Sequence, residues 1–159
     1  MKIEMEMENG GIVTAELYPE IAPKTVDNFI DLIESNFFDG LIFHRVIPGF
    51  MIQGGGYDTD GNHKDAPSIK GEFASNGFKN DLKHERGVLS MARTMFPNSA
   101  SSQFFIMHDD APHLDGEYAA FGRVIDGMDV VDEIAEAPTG YDDKPVDDWV
   151  IKTMRIIEE

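Results

Sequence analysis

An arginine and two glutamines stand inside the most apolar segments of the chain. In Phe43-His44-Arg45-Val46-Ile47-Pro48-Gly49-Phe50-Met51-Ile52-Gln53-Gly54, Arg45 and Gln53 sit among large apolar residues. In Ser102-Gln103-Phe104-Phe105-Ile106-Met107, a second glutamine abuts two phenylalanines. A guanidinium carries five donors and stays charged, and burying it unpaired is very costly. Arg45 therefore either meets an internal acid in a structural ion pair or lines a cleft that a ligand completes. The chain has 30 acidic residues, so a partner is not scarce. An apolar cleft with a few fixed polar groups is the usual form of a small binding site.

Other chemistries fit the sequence less well. His44, His63, His84, His108 and His113 follow no metal-ligand spacing, and His108-Asp109-Asp110 reads as a polar loop. Asp58-Thr59-Asp60-Gly61-Asn62 has a misplaced glycine for a calcium loop, and Ile69 occupies the closing position, which excludes an EF-hand. Gly54-Gly55-Gly56 lacks the Lys-Ser/Thr and the following helix of a phosphate loop, so it reads as a turn where backbone passes closely. Ser90, Ser99 and Ser102 have no nucleophile-elbow context.

The elements that position these residues are mostly strands. Residues 2–8 alternate, with Ile3, Met5 and Met7 on one face. Asn9-Gly10-Gly11 signals a turn, and residues 12–17 return as the hairpin partner. The period changes over 23–35, where Val26, Phe29, Ile30 and Ile33 fall at helical spacing. Short apolar runs at 41–47, 50–53, 88–92, 104–107 and 119–124 read as strands. A second helix is expected over 128–135, with Val130, Val131 and Ile134 inward, and a final strand over 150–157. Strands outnumber helices and βαβ units are few, which favours an antiparallel sandwich or barrel. Residues 57–83 are polar, irregular and too long for a plain connector, so they are either disordered or a functional surface loop.

The 159 residues suit one domain, 1–159, with one core. There is no cysteine, hence no disulfide or thiol chemistry, which suits a reducing compartment. The N-terminus shows no signal-peptide pattern and no stretch approaches the roughly 18 apolar residues of a membrane span. A cytoplasmic protein is expected. The net charge of −17 disfavours nucleic acid and anionic membranes as partners. Nothing suggests an oligomer interface, so a monomer is the default.

Four linked blocks carry a resemblance to the cyclophilin-type peptidyl-prolyl cis-trans isomerases. The run from Phe43 to Gly55 resembles their central signature. Gly87-Val88-Leu89-Ser90-Met91-Ala92, and Asn98-Ser99 with Ser102-Gln103-Phe104-Phe105-Ile106, resemble the next two blocks. Leu114-Asp115-Gly116 with Phe121-Gly122-Arg123-Val124 and Gly127-Met128 resembles a fourth. Order and spacing agree from the first hairpin to the last strand, and Met91-Ala92-Arg93 with short connections resembles the bacterial single-domain branch.

The resemblance implies a mainly β fold, a closed eight-stranded antiparallel barrel capped by two helices, and isomerisation of X-Pro bonds without cofactor. It puts the catalytic arginine on Arg45 and a proline pocket on Phe50, Met51, Phe105 and Leu114. Gln53, grouped with Arg45, and Gln103 form a polar wall, and Ala92 and Arg93 a strip for the substrate backbone. His113 stands where the best-known eukaryotic members have tryptophan, Tyr118 where they have histidine, and Arg93 where they have asparagine. Partners implied are proline-containing peptides and unfolded or folding proteins, and cyclosporin with weakened affinity. The rival of another class is a proline-peptide binding module or chaperone that uses the same cleft without meaningful turnover.

Overall fold

The computed structural model of the protein describes residues 1–158. Its frame is β1 (Lys2–Met7), β2 (Ile12–Leu17), α1 (Pro23–Glu34), β3 (Leu41–Ile47), β4 (Met51–Asp58), β5 (Val88–Met91), β6 (Phe104–Met107), β7 (Ala120–Asp126), α2 (Met128–Ala135) and β8 (Ile151–Glu158). The strands form one eight-stranded sheet in the order β3-β4-β6-β5-β7-β2-β1-β8. Every neighbouring pair is antiparallel.

The closed barrel is corrected to a curled sheet whose ladder stays open between β3 and β8. Those two edges meet through one isolated bridge, Ile42 to Val150. Two hydrogen bonds flank it, from Gly40 N–H to the Ile151 carbonyl (2.8 Å) and from Phe43 N–H to the Trp149 carbonyl (3.1 Å). Tying the outer strands together still covers part of the exposed ladder that an edge strand would otherwise present.

Successive residues of a strand point to opposite faces, and here both faces are used. Phe104 and Ile106 join the main core, whereas Phe105 and Met107 join a second cluster with Met51, Val88, Ala111, Leu114 and Ala120. Phe29 of α1 sits at the centre of the main core, with ring centroids 5.1 Å from Phe38, 5.3 Å from Phe104 and 5.0 Å from Phe121. The stripe Val26, Phe29, Ile30, Ile33 is buried as its spacing requires. Helix α2 buries Val131 and Ile134, with Val130 packed at the core's margin.

The glycines 54–56 lie inside β4 rather than in a turn. The close approach is nonetheless there. A Cβ on Gly56 would come within 2.5 Å of the Gln103 side chain, and one on Gly54 within 2.8 Å of the Ile42 carbonyl oxygen. The missing side chains let Gln103 lie flat across the strand.

Residues 57–83 are ordered by a few buried anchors. The α1 N-cap position is Ala22, which has no capping side chain. Glu72, 2% exposed, takes that role from 47 residues away, accepting from the Thr25 backbone N–H (2.7 Å) and the Thr25 hydroxyl (2.7 Å). Buried Asn80 donates to the carbonyls of Glu72 (3.0 Å) and Ala120 (2.9 Å). Replacing Glu72 by Ala leaves a buried helix N–H without its acceptor, which costs about 1–3 kcal/mol. The Glu72→Ala variant is therefore expected to unfold at a lower urea concentration. An unchanged midpoint would show that this cap contributes nothing.

Candidate active site

Arg45 reaches the surface because of a bulge. Phe43 pairs with Gly54 and Arg45 with Gln53, so β3 carries one extra residue, His44, against β4. Bulges re-aim side chains in this way. The burial of β3 accordingly runs through Leu41, Ile42 and Phe43, then breaks at half-buried His44 and exposed Arg45. Among the described residues Arg45 has no ion-pair partner, so the structural ion-pair reading finds no acid to support it.

Beside it opens a cavity of about 160 Å³, lined by Phe50, Met51, Phe105 and Leu114 together with Arg45, Gln53, Ala92, Arg93 and Tyr118. These residues come from β3, β4, β6 and three connections, yet they converge on the outer face of the sheet. Gln53 donates through Nε2 to Gln103 Oε1 (2.9 Å), which aligns the two amides. Gln103 itself lines an adjoining cavity of about 240 Å³ with His63, Thr94, Ser99 and Ser101. His113 lies outside the pocket, exposed, its ring centroid 5.8 Å from Phe50.

The Arg93 guanidinium is occupied structurally. It donates to the Glu117 carbonyl through Nε (3.0 Å) and Nη2 (2.6 Å) and to the Thr94 carbonyl through Nη1 (2.9 Å). It also lies 4.6 Å from the Phe73 ring centroid and 4.8 Å from that of Tyr118, within cation–π range. Arg93 thus clamps Tyr118 to the loop, and its side-chain donors are taken up by the Glu117 and Thr94 carbonyls.

The pocket floor has its own support. The His84 ring stacks on Phe105, with centroids 6.0 Å apart and planes at 24°. Its Nδ1 lies 3.1 Å from Asp115 Oδ1 and its Nε2 2.8 Å from Ser90 Oγ. A carboxylate can only accept, so Nδ1 carries the proton and Nε2 accepts from the serine hydroxyl. Burial lowers the His84 pKa, and the hydrogen bond to Asp115 opposes that shift. The residue types are those of a hydrolase triad, but Ser90 is 0% exposed, so no substrate carbonyl can reach it. The trio is a prop under Phe105. On the facing wall, the turn before Phe50 is held by Gly49 N–H donating to His108 Nδ1 (2.8 Å). The roles of His84 and His108 were not legible in the sequence, because their ring partners Asp115 and Gly49 lie 31 and 59 residues away.

Among the described residues no group of three or more His, Asp or Glu could hold a metal ion. A small pocket walled by Phe50, Met51, Phe105 and Leu114 thus lies beside a guanidinium without an ion-pair partner among the described residues, on the outer face of the curled antiparallel sheet. Comparison with known proteins gives this arrangement its class. Residues 2–156 match the family model for "Cyclophilin type peptidyl-prolyl cis-trans isomerase/CLD". A peptidyl-prolyl cis-trans isomerase of Acinetobacter baylyi is 51% identical over 143 residues, covering 86% of this chain and 73% of that one. Peptidyl-prolyl cis-trans isomerase B of Escherichia coli is 42% identical over 163 residues, covering 94% and 96%. The crystal structure of a Cryptosporidium parvum cyclophilin-type isomerase superposes with a TM-score of 0.87 at 32% identity, covering 99% of this chain and 98% of that one. A second crystal structure of that protein, in the presence of the dipeptide Ala-Pro, gives 0.84 over all of both chains, again at 32% identity. The chain belongs to the cyclophilin-type peptidyl-prolyl cis-trans isomerase family.

Proposed function

We propose that the protein isomerises X-Pro peptide bonds in peptides and folding proteins, with Arg45 as the electrostatic catalyst and residues 1–159 as one functional unit. The observation that carries this reading is the exposed Arg45, without an ion-pair partner among the described residues, beside the pocket of Phe50, Met51, Phe105 and Leu114. The dipeptide in the Cryptosporidium structure supports a proline ligand by family likeness.

An X-Pro bond crosses a barrier of roughly 18–20 kcal/mol because its C–N bond is partly double. Uncatalysed isomerisation takes tens to hundreds of seconds. At the twisted transition state the resonance is lost and the proline nitrogen regains a lone pair. No bond is cleaved, so the site needs neither nucleophile nor general base. A donor that engages the nitrogen or the proline carbonyl only in the twisted state lowers the barrier by differential binding. A lowering of about 8 kcal/mol corresponds to roughly a million-fold acceleration. One fixed cationic donor supplies about half of that by analogy with oxyanion-hole donors. Holding the ring and orienting the peptide with Gln53 and Gln103 supplies the rest. The bridge from Ile42 to Val150 would hold the two edges of the open ladder together and keep β3 in place.

A protease-coupled assay on an Ala-Pro peptide tests this reading: turnover without added metal supports it, and saturable binding without turnover favours a binding module. The rate is expected to stay flat between about pH 6 and 8. An arginine does not titrate there. Burial and then the nearby Arg45 charge push His44 down to about 4, so its imidazole is neutral throughout. The histidine signal belongs to stability instead. The unfolded chain takes up the proton first, near pH 6.5, so stability is complete above that value and falls as the pH drops toward about 4. Melting temperature measured from about pH 8 down to about 4, and kcat/KM between about pH 6 and 8, check both halves. A bell-shaped rate profile with an inflection near 6.5 would bring a histidine into the mechanism.

A further inference from the structure

A second cavity, larger than the proline pocket, opens beside it. It holds about 800 Å³ and lies between β3–β4 and the loop carrying the short 3₁₀ turn Tyr141–Asp143. Arg45 lines it as well as the proline pocket, so one guanidinium forms a shared wall. Its other walls include Ile42, Tyr57, Tyr141, Pro145 and Val146. Two of these are large apolar groups open to solvent, Tyr141 at 90% and Val146 at 66% exposure. His44 completes the floor as a neutral ring, its Nδ1 buried without a hydrogen-bond partner among the described residues.

The loop is tightly built. Gly140 N–H donates to the Lys144 carbonyl (2.8 Å), and Thr139 bridges to Pro145. Asp142 and Asp143 both adopt left-handed backbone, at φ 57° and 59°, a conformation that non-glycine residues seldom take. Such backbone concentrates at ligand clamps. Lys144 is paired with Asp148 at 3.0 Å, so the loop offers no free cation to an acidic ligand.

We propose that this cavity is a specificity subsite for the same peptide whose proline occupies the neighbouring pocket. It takes an apolar, preferably aromatic, side chain within three residues of the proline. The inference rests on the isomerase reading above. Continuity through Arg45 argues for the same chain as occupant, because an extended peptide advances about 3.3–3.6 Å per residue and so reaches roughly 10 Å from the proline in three residues. Binding here acts equally on ground and transition state, so it shows in KM rather than kcat.

The test uses the full chain and Ala-Pro peptides flanked by glycine and serine, with a single phenylalanine moved through three positions on each side. Exchange NMR, which needs no protease, reads turnover. One phenylalanine position is expected to lower KM about tenfold. The double variant Tyr141→Ser, Val146→Ser removes exposed groups only and is expected to abolish that gain while turning over the unflanked peptide as the wild type does. A flat scan with normal turnover, or a gain that survives in the double variant, overturns the subsite and leaves the isomerase reading intact. Failure of the wild type to turn over the unflanked peptide overturns the isomerase reading and the subsite with it.

Discussion

Arg45→Ala is expected to lower kcat/KM by at least about a hundredfold while the protein stays folded. A preorganised donor aimed at charge that develops in the transition state is worth roughly 3–4 kcal/mol. The expectation of an intact fold is structural. The Arg45 side chain is exposed and gives up no ion pair among the described residues when truncated. The fall should lie in kcat, because the apolar groups proposed to hold the ring, Phe50, Met51, Phe105 and Leu114, are untouched. Arg45→Lys keeps the charge but loses the planar fork of donors, so partial activity is expected. Wild-type-like turnover in a folded Arg45→Ala variant would remove this residue from the mechanism. A large fall in melting temperature would instead return Arg45 to a structural role.

His113→Trp is expected to raise cyclosporin affinity by about 30- to 150-fold and to change kcat/KM no more than a few-fold. By family resemblance, eukaryotic members carry tryptophan here, and its indole covers the apolar rim of the drug. His113 is exposed and flanks Phe50 from outside the proline pocket. An indole adds apolar area, worth about 25 cal/mol per Å², and an N–H donor worth about 1 kcal/mol. A gain of roughly 2–3 kcal/mol corresponds to the stated range, because each 1.4 kcal/mol is tenfold. On the proposed reading a substrate proline packs on Phe50, Met51, Phe105 and Leu114, which the substitution leaves alone, so kcat/KM should change little. Titrating the drug against both proteins reads the difference. Nanomolar inhibition of the wild type, or no gain in the variant, would show that position 113 does not control drug binding.

Binary patterning made the strands readable: 104–107 and 128–135 coincide with β6 and α2. It also exposed Arg45, Gln53 and Gln103 as polar residues in apolar runs. It could not tell that β4 continues through Gly54–Gly56, because three glycines carry no alternation and look like a turn. The His44 bulge was equally hidden, since an extra residue in a ladder depends on the partner strand. The wide cavity combines β3 and β4 with residues 140–146, about a hundred positions later, and the α1 cap comes from Glu72, so neither has a local signal. Barrel closure depends on how far β3 and β8 curl together, which no residue pattern encodes.

The most direct test of the central claim is exchange NMR on an Ala-Pro peptide with the wild-type protein at catalytic concentration. Cis–trans exchange should be accelerated to well above the uncatalysed rate of tens to hundreds of seconds, and the same amount of Arg45→Ala should bind the peptide while leaving exchange near that slow rate. Peptide shifts that report binding to the wild type without accelerated exchange would contradict the account and make the protein a proline-peptide binding module.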